Sequence, residues 1–147
     1  MNLSVKERAR ELILGISGDL AHYAELSRLL LTQHALLVAH DADGLTAHNP
    51  QQNQVMALIQ RQAQLRCQHL HALRLKPDDQ GMATFISKLP PAMQPPISQQ
   101  WQQLEHLLRQ CKHQNEINGR LLAGQIEVLH SLLGQEPGYG KQAHFTD

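Results

Sequence analysis

Residues 98–133 read SQQWQQLEHLLRQCKHQNEINGRLLAGQIEVLHSLL, and the spacing of side chains in this stretch decides the fold. Apolar residues recur there at alternating steps of three and four, which is typical of one packed face of an α-helix. We predict a long helix that starts after an N-cap at Ser98, spans roughly 50 Å at ~1.5 Å per residue, and ends near Gly134. The predicted face consists of Trp101, Leu104, Leu108, Cys111, Asn115, Asn118, Leu122, Gln125, Leu129 and Leu132.

Three positions of this face carry amide side chains where packing favours apolar ones: Asn115, Asn118 and Gln125. A buried amide costs stability unless it is hydrogen bonded. Such amides therefore tend to fix the register of packed helices or to meet a second chain. The pattern makes this helix a candidate recognition surface.

A first helix is predicted for residues 19–40, where leucines and Tyr23 recur on one face. The residues before it continue a weaker apolar pattern that Gly15 and Gly18 interrupt, so we expect a frayed or kinked extension there. Residues 41–48 have the composition of a loop.

A second helix is predicted to begin with Asn49 as its N-cap and Pro50 at the first helical position. It should stop before Pro77, because the residue preceding a proline disfavours helical geometry. We interpret the glutamine-rich patches of this helix and of the last one as solvated helix faces.

The segment 78–97 leaves several structures open. Asp78 and Asp79 can cap a short helix that Pro90 and Pro91 would end, and the later pair Pro95-Pro96 would keep the chain extended. The same segment could form a hinge or be disordered.

The composition favours helices over strands. Aromatic residues make up 3 % of the chain, whereas strands prefer aromatic and β-branched side chains. We predict an all-α fold, an antiparallel bundle of three main helices plus a short connector helix. Residues 1–134 would form this single helical domain, and residues 135–147 a flexible C-terminal tail with little to bury.

The charge pattern excludes some partners. Lys plus Arg and Asp plus Glu both number 13, so no strong field attracts nucleic acid or an anionic membrane surface. No apolar run approaches the roughly 20 residues that span a bilayer, and the N-terminal residues lack the apolar core of a signal peptide. We therefore expect a cytoplasmic protein without direct membrane insertion.

The side chains that could carry chemistry do not assemble into a site. The chain has 10 histidines, but their helical spacings do not bring a full ligand set together. Cys67 and Cys111 each fit an amphipathic helix and suit structural packing. We predict no catalytic residues, no metal site, no cofactor and no enzymatic activity.

The apolar stripe of the last helix is broader than one packed face requires. In one account the helix packs against both earlier helices, as expected in a three-helix domain. In the other account its C-terminal half extends past its intramolecular partners and offers an apolar groove to a helix of another protein. The pattern alone favours neither.

Several motifs of this region resemble the FlgN family of flagellar export chaperones. They are Trp101-Gln102, the run Asn115-x-x-Asn118-Gly119-x-Leu121-Leu122-x-Gly124-Gln125-Ile126-Glu127, and Tyr139-Gly140. The two earlier helices agree with the family in periodicity and length. The long linker and the residues before Asp19 depart from it.

The resemblance implies a small helical chaperone domain of the flagellar type III export system that binds hook-filament junction proteins before export. It implies that the helix after Asn118 binds the C-terminal helical segment of these proteins, and that Tyr139 and Gly140 dock on the cytoplasmic domain of the export gate. The implied protein-binding residues are Asn115, Asn118, Gly119, Leu122, Gln125, Ile126, Leu129, Leu132 and Leu133.

Two alternatives stay open from the residues themselves. The same stripe could pair two copies of the chain in a structural or regulatory coiled coil whose amides set the register. A metal-responsive, histidine-rich helical protein is the other alternative. We expect the free chain to be a monomer or a weak dimer.

Overall fold

The computed structural model describes residues 3–134, which form four helices. They are α1 (Val5–Val38), α2 (Ala42–Ala72), α3 (Asp79–Ser87) and α4 (Gln94–Leu132). The described part of the chain contains no strand, and the predicted bundle of three long helices with a short connector helix is confirmed. None of its helices combines the length and the apolar character needed to cross a membrane.

Helix α1 lies at the centre of the bundle and packs against both α2 and α4. It runs antiparallel to α2 and parallel to α4, as alternate members of an up-down-up bundle do. Three hydrogen bonds give the α1–α4 register: Cys111 to the carbonyl of Tyr23, Asn118 to Leu30 and Gln125 to Leu37. Each joins residues that are 88 positions apart, so the two helices stay in register over the whole contact.

The apolar core occupies the end of the bundle that contains α3, which we call the proximal end. Burying each of these side chains contributes about 1.5–3 kcal/mol, so they dominate the folding energy. The core includes Leu12, Ile16, Leu26, Leu30, Ile59, Leu70, Met82 and Leu104, all at most 2 % exposed. The opposite end, formed by residues 31–52 and 114–134, is the distal end.

Helix α1 begins at Val5, so the predicted start at residue 19 and the frayed extension before it are wrong. The side chain of Ser4 accepts a hydrogen bond from the Glu7 amide at 3.2 Å and caps the helix. Burial of Leu12 and Ile16 against the core outweighs the poor helix propensity of the two glycines nearby.

The loop predicted for residues 41–48 is also wrong, because α2 begins there. Asp41 is the N-cap, and its Oδ1 accepts from the Gly44 amide at 2.8 Å. Pro50 therefore lies inside the helix and removes the donor that would bond the carbonyl of Thr46. Both residues are exposed, so water can reach that carbonyl.

The connector forms the short helix that was one of the structures left open. Asp78 caps α3 by accepting from the Gly81 amide at 3.0 Å, and glycine is required there because an added Cβ would overlap the Lys76 carbonyl. The prolines at 95 and 96 do not extend the chain: they occupy the first turn of α4, where a missing N–H costs nothing. Ser98 consequently lies inside α4 rather than at its N-cap.

Candidate protein-binding surface

The packed face of α4 is covered at its start and uncovered at its end. Leu104 is 2 % exposed, whereas Leu129 is 54 % and Leu132 is 79 % exposed. The 88-residue register explains the change, since it places Val38, the last residue of α1, level with Ile126. Beyond that level α4 continues without α1 beside it.

We call the apolar side chains at this end of α4, which are exposed except for the half-buried Ile126, the distal strip. It extends over about three turns of helix at the C-terminal end of α4. Val128 at 60 % and Val38 at 58 % exposed add apolar area at its edges. A contiguous exposed apolar patch is a candidate protein interaction site. The strip consists of Leu122, Ile126, Leu129, Leu132 and Leu133.

Immediately before the strip, three amides from the three long helices meet in the interior. Asn118 Nδ2 of α4 donates to Gln33 Oε1 of α1 at 3.1 Å, and Gln52 Nε2 of α2 donates to the same oxygen at 3.1 Å. Asn118 Nδ2 also donates to the Leu30 carbonyl at 2.9 Å. We call Gln33, Gln52 and Asn118 the amide layer; Gln52 and Asn118 are 4 % and 2 % exposed.

Further polar side chains complete the hydrogen bonding of this layer. Asn118 Oδ1 accepts from Gln114 Nε2 at 3.0 Å and lies 3.1 Å from His34 Nδ1. Gln33 Nε2 donates to Asn49 Oδ1 at 3.1 Å, and His48 Nε2 lies 3.0 Å from Gln52 Oε1. The layer is thus a connected polar network, and such networks specify one packing arrangement when their members are satisfied.

The residues implied by the family resemblance fall into two groups. Asn118 and Gln125 are bound within the fold, the latter through Nε2 to the Leu37 carbonyl at 2.7 Å, and Asn115 is buried. The hydrogen bonds of Asn118 and Gln125 join α4 to α1 at fixed positions, which is how amides on a packed helix face set the register. Gly119 is half-buried beside them, and the remaining implied residues form the distal strip.

Tyr139 and Gly140, to which the resemblance assigns docking on the export gate, lie outside the described residues. Gln52 is buried, although its glutamine-rich neighbourhood predicts a solvated helix face. Its one available signal was position: Gln52 precedes Val55 and Ile59 at the spacing of three and seven residues that places it on their buried face.

The proximal end carries a different polar arrangement, a buried ion pair. Arg66 Nη1 lies 2.7 Å from Asp19 Oδ2, and the Arg66 guanidinium also lies 5.3 Å from the ring centre of Trp101. Burial raises the pKa of the Asp19 carboxyl, and the neighbouring Arg66 charge opposes that rise. The pair joins α1 to α2, and the ring contact joins α2 to α4.

A groove of about 770 Å³ lies beside this pair, between α2, the start of α3 and α4. Tyr23, Leu70 and Leu104 are among the residues that line it, and Cys67 lies on its α2 wall. Within residues 3–134 no three side chains of the metal-binding types come together. Burial raises the pKa of the Cys111 thiol to about 11.

Comparison with known proteins adds one finding. The family described as FlgN protein matches residues 1–134, which includes all four helices, the amide layer and the distal strip. No curated protein and no solved structure matches the chain.

Proposed function

The chain belongs to the FlgN family of flagellar export chaperones, and from that premise we propose that its distal strip binds an amphipathic helix of a hook-filament junction protein. The family is one of chaperones rather than enzymes. The observation that carries the proposal is the loss of cover along α4, where a leucine face that is buried in the proximal core continues into solvent.

A helix of another protein fits the form of the strip. Its leucines and isoleucine recur at steps of three and four, the spacing that accepts the apolar face of a second helix. A junction protein kept in this way has its own assembling helix covered until export. The C-terminal helical segments of the junction proteins are the clients that the family resemblance implies.

The composition of the strip suits reversible binding. Tight hot spots are enriched in Trp, Tyr and Arg, and the strip has none of them. Leucine contacts over a short helical segment give moderate affinity, because association must also offset the lost freedom of two bodies. A chaperone that releases its client at the export apparatus needs such an interface.

We assign the second step, delivery to the export gate, to residues outside the described part. Tyr139 and Gly140 would contact the cytoplasmic domain of the gate, so the protein would act in the cytoplasm. The distal strip and this contact use different residues. Deleting residues 135–147 should therefore leave client binding intact and weaken binding to the isolated gate domain in a pull-down.

Two substitutions test the strip. Leu122→Asp and Ile126→Asp place a charge where the client helix would bury apolar atoms, and each should weaken binding about thirtyfold or more, a loss of about 2 kcal/mol. Leu58→Asp is the matched control, because Leu58 is 46 % and Leu122 43 % exposed, and Leu58 lies on α2. Titration calorimetry with a purified junction protein measures the affinities.

Circular dichroism accompanies these titrations and checks that each variant keeps the helical content of the parent protein. Full-strength binding by a folded Leu122→Asp variant would contradict the proposal. The exposed strip also favours one competing function, pairing of two copies in a coiled coil. Sedimentation velocity separates the two: a stable dimer that the junction protein does not dissociate would favour the coiled coil.

A further inference from the structure

The amide layer divides the bundle into two parts that differ in what holds them together. On the proximal side, α1 and α4 enclose Leu26, Leu30, Leu104 and Cys111, each at most 2 % exposed. On the distal side the same two helices enclose Leu37, and Leu122 is already 43 % exposed. The buried residues of α4 end at Asn118, and beyond it Gln125 donates a hydrogen bond to the Leu37 carbonyl.

These two kinds of contact differ in energy. A buried leucine contributes about 1.5–3 kcal/mol, whereas a hydrogen bond contributes about 0.5–1.5 kcal/mol net, since water replaces it in the open form. Amides in the layer can exchange their partners for water as soon as the helices part. Residues 119–132 contain no fully buried side chain, and a segment with few buried apolar contacts opens locally before the rest of the fold does.

We propose that the amide layer is the point at which the bundle opens for its client: the segment of α4 beyond it, residues 119–132, separates from the end of α1 and admits the client helix between them. This inference rests on the proposed function, and it adds the conformational step by which the site is completed. Opening uncovers Leu37 and the inner side of Leu122, so a client helix buries more apolar area than the closed strip offers.

The proposed step also defines the client's chemistry. Its helix needs an apolar face wide enough to contact α1 and α4 together, and a polar residue where that face meets the amide layer. The polar residue would take the place of Gln33 or Gln52 as a partner for Asn118, because an apolar residue there would leave the amide unsatisfied. A uniformly apolar helix should therefore bind more weakly than one with an amide at that level.

The test replaces the whole layer with apolar side chains. The triple variant Gln33→Leu, Gln52→Leu, Asn118→Leu removes the amides that bond one another, so packing can replace those hydrogen bonds. Their remaining side-chain partners, Gln114, His34, Asn49 and His48, are half-buried and can bond to water instead. Hydrogen exchange of residues 119–132 should become slower than in the parent protein. The association rate constant for a synthetic peptide of the junction protein's C-terminal helix should fall about tenfold or more, because the open form is less populated.

The matched control is Gly124→Ala. A Cβ at this position meets no atom within 4 Å, so alanine strengthens α4 in the open and closed forms alike. This variant should melt at a higher temperature than the parent and associate with the peptide at an unchanged rate. It separates the effect of closing the layer from that of a more stable helix.

Three results would overturn the inference. One is an unchanged association rate in a triple variant whose distal exchange is slower. Another is unchanged exchange of residues 119–132 in that variant. The third needs no variant: in the free parent protein, residues 119–132 should exchange faster than residues 97–111, and equal protection would show that the layer is no weak point. If no peptide binds the parent protein, the proposed function fails, while the exchange measurement still judges the opening step.

Discussion

The two ends of the bundle use the same two helices in the same register, yet they differ in what the helices enclose. At the proximal end the α1–α4 seam encloses leucines and Cys111, and at the distal end it encloses an amide layer followed by half-exposed leucines. The heptad spacing of α4 does not change between them. What changes is how far α1 covers α4, because α1 ends at Val38 while α4 continues to Leu132.

Under the proposed function, this difference lets one helix serve folding and binding together. The proximal leucines of α4 are fully used by the fold and are unavailable to another protein. The distal leucines cost the fold little when they are removed, because solvent already reaches them. Stability and recognition can therefore be changed separately, at residues that are far apart along one helix.

The largest expected effect is a loss in the free energy of unfolding, caused by a substitution at the proximal end. Leu104→Ala removes a side chain that is 2 % exposed and leaves a cavity, so the free energy of unfolding should fall by about 2–5 kcal/mol. Leu129→Ala, at 54 % exposed, is the distal counterpart and should change it by at most about 0.5 kcal/mol. Urea denaturation measures both, and equal losses would contradict the contrast between the two ends.

The next effect concerns the proximal ion pair. Arg66→Met leaves the Asp19 carboxylate buried without its counter-charge, and we expect a loss of about 3 kcal/mol in the free energy of unfolding at neutral pH. The double variant Asp19→Leu, Arg66→Met should regain much of that loss, since it buries no charge. A single variant as stable as the parent would show that the buried Asp19 carboxylate does not depend on Arg66.

The pH dependence of that loss has a defined sign. Burial raises the pKa of Asp19 in the folded state, and removing Arg66 raises the pKa further because its attraction lowers it. A carboxyl with a raised folded pKa destabilises the fold once pH exceeds its unfolded value of 3.8. The difference between parent and variant should therefore shrink as pH falls toward that value, which urea titrations at several pH values would show.

The smallest effect concerns the access of a thiol reagent to the two cysteines and leaves the stability of the fold unchanged. Cys67 is half-buried on the groove wall, whereas Cys111 is 1 % exposed with a thiol pKa of about 11. A maleimide reagent at pH 8 should label Cys67 and leave Cys111 unmodified until urea unfolds the protein. Mass spectrometry of the labelled peptides shows which cysteine reacts first. Early labelling of Cys111 would show that the proximal end opens as well.

The sequence predicted what depends on local spacing. The helix of α4 and its end near Gly134 follow from a regular helical repeat, and the structure confirms both. The predicted packed face is buried in its first part, whereas Leu122, Leu129 and Leu132 are exposed. The starts of α1 and α2 were wrong because local signals, the glycines near residue 15 and the pair Asn49-Pro50, suggested boundaries that tertiary packing overrides.

The candidate site was predictable only in part, for a related reason. The spacing placed the amides and the leucines on one face of α4. It could not show where α1 stops covering that face, because this depends on where α1 ends. The partners of Asn118 lie 85 and 88 residues away along the chain, and no local pattern identifies such contacts. The buried, hydrogen-bonded amides and the exposed leucines therefore became distinguishable only with the helices in place.

The separation of 88 residues between α1 and α4 also affects how the protein is made. The ribosome releases α1 and α2 first, and their shared hairpin lacks the third wall of the core until α4 emerges. Until then the side chains of Tyr23, Leu26 and Leu30 remain open to solvent or to other nascent chains. Completion of the core must wait for translation of the last long helix, so apolar surface stays exposed for longer during synthesis than in a protein whose core contacts are local.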